Sequence, residues 1–436
     1  MVLNQDIAPY VTVFQTRPER EEPSWLAGHR KAAMKRFAEL GFPTRKQEAW
    51  RFTDLRPLTA GPILTADGGS GPLSSQLASS CLGSDTFRVV LANGRFAPEL
   101  SNIGALPDGV YLSSTAEALK VRPELVQPAL DASEETGAQS FASLNAALFA
   151  DGFVLALEPG VTLDKPVEVI HFGYAPEARA FHLRNVINAG AGSKATIVET
   201  AAGTGKGWTN SVTAVFVGKD ATVTHVKVQN EAPEAIHLSL IRGEVAQSGH
   251  YDSFILTLGA RLSRQDLHIA SAGEAAQVSI NGAYLLKGEQ EATFAPFVDH
   301  QALGCQTSEV LKGVIQDSAH GVFLGKMAVR PGADGTDAHQ LNQNLLLSAT
   351  ASVDTKPELE IFADEVKCSH GATVGDLDET ALFYLQARGI HEADARGMLI
   401  EAFAASAIEA SGLGENITSH LLLAVRRWLG TDGDRS

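Results

Sequence analysis

The spacing of apolar positions changes twice along the chain, and each change marks a different kind of element. From Ser24 onward, Trp25, Leu26, Ala33, Phe37 and Leu40 recur at near-helical intervals; Ser24 is a suitable N-cap, and Gly41 with Pro43 stops the run. The next segment, Thr44 to Leu58, is basic and aromatic, carrying Arg45, Lys46, Trp50, Arg51 and Phe52. Gly61 to Gly71 is rich in small residues and reads as a flexible linker or long loop. Phe87 to Leu91 followed by Asn93-Gly94 predicts a strand entering a tight turn, and Leu144 to Phe149 a short helix.

From about Asp151 to Gly375 the helical period disappears. Short β-branched runs, among them Val167 to Ile170, Thr196 to Val198, Val212 to Val217, Thr222 to Val228, Phe254 to Leu258 and Val278 to Ile280, are cut by small-residue turns. Four-residue echoes starting at Gly192, Gly218, Gly243 and Gly273 return at intervals of about 25 to 30 residues. Two or more strands per period predict coils stacked into a solenoid; an ordinary sandwich with similar turns is the alternative. After Gly375 the helical period resumes. Asp376 or Asp378 caps a helix through Leu382, Phe383 and Leu385 that stops at Gly389, a second runs from Glu392 through Phe403, and a third from Ile417 to Leu429. The expected organisation is a helical region with a linker over 1–85, a mixed α/β transition over 86–150, a β core over 151–375 and a helical domain over 376–436.

Composition narrows the classes of function. The chain has 436 residues, with 51 acidic and 35 basic side chains and a formal charge of −16, so nucleic acid and acidic membrane surfaces are not its expected partners. No apolar run has a membrane helix's length, and Met1 to Asp6 lacks the layout of a secretory signal, which points to a cytoplasmic protein. Three cysteines (Cys81, Cys305, Cys368) without a CxxC pair argue against a disulfide framework, and they cannot alone supply four thiolates to a metal cluster. No phosphate loop, dinucleotide fingerprint, HExxH or GxSxG occurs, so no nucleotide site is expected in this chain.

One constellation carries chemistry: Val366-Lys367-Cys368-Ser369-His370-Gly371-Ala372. On a strand, residues i and i+2 share a face, so Cys368 and His370 project together while Lys367 and Ser369 project oppositely. A thiolate beside an imidazole suits iron or zinc, but two ligands leave the shell incomplete. The other readings are a small buried thiol beside a hydrogen-bonded histidine, and a Cys/His dyad lacking an identified oxyanion site. His300, His320 and His339 have spacings no simple chelate explains. Glu358 and Glu360 share a strand face, as a carbohydrate-cleaving β-helix would need, but a solvated edge is the better account of them.

The block from Pro357-Glu358-Leu359-Glu360-Ile361 to Val366-Lys367-Cys368-Ser369-His370-Gly371-Ala372-Thr373-Val374-Gly375, with Leu382-Phe383-Tyr384-Leu385 and Arg388-Gly389-Ile390 behind it, resembles the SufD branch of the SufB/SufD family of iron–sulfur cluster assembly scaffolds. Asn342 to Ser348, Lys312-Gly313, Gly321 to Phe323 and Arg45 to Thr53 extend the resemblance over nearly the whole chain. It implies a mainly β fold, a central right-handed parallel β-helix flanked by N-terminal and C-terminal helical regions. It also implies pairing with SufB through the two β-helices, or a homodimer in isolation, and a SufC ATPase docked on the C-terminal helices, where Phe383, Tyr384, Arg388 and Met398 are candidates. On the same resemblance His370, with Cys368 as a second candidate, is a ligand to a transient iron–sulfur cluster shared with SufB. The chain would then be a non-catalytic scaffold whose ATPase activity resides in SufC. A purely structural partner without ligation and a β-helix carbohydrate-active enzyme are the alternatives.

Overall fold

The computed structural model describes residues 6–17, 22–59, 64–65, 80–131 and 138–431; most of the Gly61 to Gly71 stretch lies outside them. The centre is a parallel β-solenoid of about eight turns. Each coil contributes one strand to each of two facing ladders. The first ladder runs from Phe87–Ala92 through the first halves of Val167–Ala189 and Lys194–Val217, then Thr222–Asn230, His250–Thr257, Gln277–Leu286, Gln306–Ile315, Asp337–Leu346 and finally Lys367–Gly375. The second uses the other halves of the two long strands, then Ile236–Val245, Leu262–Ser271 and Glu291–His300. It ends in two broken pairs: His320–Phe323 with Ser352–Thr355, and Lys326–Val329 with Glu358–Ile361.

The coils turn at equivalent left-handed positions: Gly192, Asp220, Ser248, Ala275, Gly304 and Gly335, with φ between 53° and 74°, each two residues before the next strand of the first ladder. The solenoid period foreseen from the glycine echoes is therefore real, but its phase differs. Gly192 sits on the turn position, Gly218 and Gly273 two residues ahead of it, and Gly243 inside a strand. Only glycine adopts this conformation freely, so small residues cluster near the turn without all occupying the same place in it.

Inside the coils, Ala195, Val223, Tyr251, Val278, Ile255, Leu311 and Phe294 stack into one apolar core with the inward residues of the second ladder. Each outer face is covered by helices. Tyr10, Phe37, Trp50 and Phe141 pack over Trp208, Ile236 and Leu262 on the second ladder; Ile400, Ala404, Ile408 and Leu421 pack over Val226, Phe254, Leu285 and Val314 on the first. The helices carrying Phe37 and Phe141 are Ser24–Leu40, whose cap position is Pro23 rather than Ser24, and Gln139–Leu148. The C-terminal helices are Glu379–Ala387, Glu392–Ala410 and Glu415–Leu429, the first capped by Asp378, whose carboxylate accepts from the backbone N–H groups of Thr380 and Ala381. Among the described residues no helix is long and apolar enough to cross a membrane.

Candidate functional site

The strand Lys367–Gly375 is the last of the first ladder; it pairs with Asp337–Leu346 on one side and, among the described residues, with nothing on the other. Parallel in-register pairing stacks like positions at about 4.8 Å per tier. His370 therefore belongs to an inward file that continues through Gln340, Glu309, Ile280, Ser253, His225 and Ile197. Cys368 heads the neighbouring inward file of Ala338, Thr307, Val278 and Tyr251. Cys368 and His370 thus share a face, as period two requires, and that face is the solenoid interior where it opens at its C-terminal end. Ser369 is on the opposite face, where its hydroxyl meets His339 Nδ1 at 2.6 Å.

Position in the stack sets the environment. His370 is exposed and its side chain makes no hydrogen bond among the described residues, while Cys368 is half-buried. Burial, and then the charge of Asp337, push the Cys368 thiol up, so at neutral pH it holds its proton more firmly than a free cysteine does. One tier in, Gln340 is buried and its amide donates to Glu309 Oε2 at 2.7 Å. Glu309 is buried too, its Oε1 and the Gln340 Oε1 have no partner, and burial pushes its carboxyl up to about 8. Alongside, Tyr284 donates to Asn344 Oδ1, and the Asn344 amide donates to Asn342 Oδ1 at 2.7 Å. Polar side chains line this end of the interior. Sequence reasoning missed Glu309 and its tier; the one signal that could have found it is a lone acidic residue between Thr307 and Leu311 on the inward alternation.

The remaining candidates are dispersed. His300 is buried in the core and desolvation lowers it to about 4; His320, partly buried, contacts Asp354 at 2.8 Å, and His339 contacts Asp337 at 2.7 Å on an exposed surface. Cys305 is buried with its thiol directed at the Ala302 carbonyl, 3.2 Å away. Glu360 pairs with Lys326 at 2.8 Å and Glu358 with Lys356 at 3.0 Å, an ion-paired edge. Among the described residues no group of three His, Cys, Asp or Glu side chains is arranged to hold a metal ion.

The helix Glu379–Ala387 buries none of its residues. Phe383 is 71% exposed, Tyr384 56% and Met398 37%, high values for side chains of this kind. Arg388 lies over the Tyr384 ring at 4.9 Å and donates to its hydroxyl at 2.7 Å, which holds the two side chains in one arrangement.

Residues 172–403 match the model of the SUF system FeS cluster assembly SufBD core domain, and residues 7–169 that of the SufBD protein N-terminal region. The chain is 30% identical over 403 residues to the iron–sulfur cluster assembly SufBD family protein slr0076 of Synechocystis, covering 89% of this chain and 88% of that protein. It is likewise 30% identical over 396 residues to the iron–sulfur cluster assembly protein SufD of Escherichia coli, covering 89% and 90%. Protein ABCI7, chloroplastic, of Arabidopsis thaliana is 29% identical over 386 residues, covering 84% and 79%. The two family models together take in both ladders and the N-terminal helices, and the chain belongs to the SufBD family of SUF-system iron–sulfur cluster assembly proteins.

Proposed function

We propose that this chain is a non-catalytic, cytoplasmic scaffold subunit that pairs with a SufB-type β-helix, carries a SufC-type ATPase on its C-terminal helices, and lends His370 to an iron–sulfur cluster being built as cargo between the two β-helices. The observation that carries the reading is the placement of His370. It ends an inward file on a coil with no coil beyond it, exposed and free of hydrogen bonds among the described residues.

A neutral imidazole nitrogen is a good iron ligand, and a cluster needs about four ligands, so one chain presenting His370 with or without Cys368 requires the rest from outside. Cys368 is the weaker candidate because its raised thiol must lose a proton before it can bind metal. The exposed Phe383, Tyr384, Arg388 and Met398 are the proposed ATPase contacts. Force applied there has a route inward: the helix Glu392–Ala410 packs on the strands Gln277–Leu286 and Gln306–Ile315, and Lys312 of the latter lies over the Phe403 ring at 4.6 Å. The strand Gln306–Ile315 also carries Glu309, beneath Gln340 and His370.

The test is anaerobic reconstitution of cluster on the chain co-purified with SufB-type and SufC-type subunits. His370→Ala should leave the complex assembled and lower cluster yield by about tenfold or more, the scale of losing a metal-site interaction. An unchanged yield overturns ligation and leaves a purely structural partner, and failure to recover either subunit overturns the scaffold reading itself.

A further inference from the structure

A second concave site lies away from the solenoid's open end. A cleft of about 980 Å³ is enclosed by three successive coil corners, by the bend between the two long strands and by the last C-terminal helix. That volume is at the upper end of the usual range, about 300–1,000 Å³, for small-molecule sites. Lys206 enters it from the bend, Arg261 and Lys287 from two corners, and Arg427 from the helix. Among the described residues Lys206, Arg261 and Lys287 are in no ion pair, although the chain carries a formal charge of −16. The lining holds four cationic side chains against three carboxylates, Glu231, Glu234 and Glu289, a local excess of positive charge on a chain that is acidic as a whole.

The uncharged groups lining the cleft also ask for acceptors. Trp208 is fully buried and Trp428 partly so, and neither indole N–H has a partner among the described residues. The buried acceptors are already engaged: Glu231 takes the Thr209 hydroxyl at 2.6 Å and the Gln229 amide at 2.8 Å, and Gln290 Oε1 takes the Lys287 N–H at 2.9 Å. Glu234 and Glu289, the other two carboxylates of the lining, are exposed. Lys287 Nζ stands over the Trp428 ring at 5.4 Å, so an aromatic face and a cation sit together.

We propose that this cleft binds a small organic phosphate carrying a planar ring, its phosphoryl group held by Lys206, Arg261 and Lys287 and its ring against Trp428. The ligand would supply a negative charge to cations that no carboxylate pairs among the described residues. Recognition would be through side chains, without a phosphate loop, and it stands independently of cluster ligation by His370.

Calorimetric and tryptophan-fluorescence titrations of the full chain, with AMP, pyrophosphate and citrate as separate probes at low salt, test it. Saturable AMP binding at about millimolar concentration or tighter is expected, with Arg261→Glu/Lys287→Glu weakening it about tenfold or more at an unchanged thermal midpoint. Lys206→Glu, at an exposed position, gives the same readout if the double variant fails to fold. Trp428→Phe should weaken AMP more than pyrophosphate. No saturable binding of AMP or pyrophosphate, affinity untouched by the charge reversals, or citrate binding as tightly as AMP would each overturn the proposal.

Discussion

His225 and His370 stand on the same inward file of the same ladder, yet their surroundings are opposite. His225 is fully buried: Nε2 lies 2.7 Å from Glu199 Oε1 and Nδ1 lies 3.0 Å from the Tyr251 hydroxyl. Glu199 also meets His171 at 3.3 Å and is the register neighbour of Lys227, whose ammonium donates to the Ser239 hydroxyl at 2.5 Å. Burial pushes the Glu199 carboxyl up, but the Lys227 charge and the bonds to both histidines outweigh it and hold the carboxyl well below its ordinary range. In the middle of the stack a histidine is thus held in a closed network. At the open end the same residue type, on the same file, has no such partners. Two tiers in from that end, the buried carboxyl of Glu309 has only the Gln340 amide and is raised instead. The solenoid closes one geometric slot where coils cover it and leaves it open to solvent where they stop.

The largest effect should come from breaking the closed network. Glu199→Ala strands a buried Lys227 and two buried histidines, and is expected to cost about 3–5 kcal/mol of stability in denaturant unfolding at neutral pH. In the parent chain the Glu199 contribution is complete above the unfolded carboxyl value of about 4.5, and is lost as pH falls below it through the depressed folded value. A cost below about 1 kcal/mol would show that the middle of the stack and its open end do not differ in the way the geometry says.

Glu309 gives the opposite sign. Its folded value of about 8 exceeds the ordinary 4.5, so between those limits the folded state binds more protons than the unfolded one, and the stability attributable to this group falls as pH rises. Glu309→Gln removes that charge. It should stabilise the chain by roughly 1–3 kcal/mol at pH 8, have little effect below pH 4.5, and flatten the decline between them. Denaturant melts across that range are the check; a destabilised variant at pH 8 would place the carboxylate in a favourable site after all.

These two carboxylates also mark where the sequence stops being readable. The pairing of Cys368 with His370 on one face was legible because a strand has period two whatever surrounds it. That Lys367–Gly375 is the last strand of its ladder, and so opens the interior to solvent, depends on where stacking ends, which no local pattern records. Glu309 was illegible for a different reason. On the strand Gln306–Ile315 the inward positions Thr307, Glu309 and Leu311 alternate with Val310 and Val314, and Val314 belongs to the apolar cluster under the C-terminal helices. With both faces covered, apolar alternation no longer distinguishes inside from outside. The coil phase was missed similarly, because Asp220, Ser248 and Ala275 occupy turn positions that a search for glycine passes over.

The smallest expected effect sharpens the comparison most. At an exposed position on an edge strand, without hydrogen bonds to lose, His370→Ala should change folding stability by less than about 0.5 kcal/mol, whereas His225→Ala, which opens a cavity and leaves Glu199 and Tyr251 short of a partner, should cost about 2–4 kcal/mol. Paired denaturant melts of the two variants separate a structural histidine from an available one without reference to any bound metal. Equal costs would mean that His370 is built into the fold as firmly as His225, and the interior file would then have no functional end.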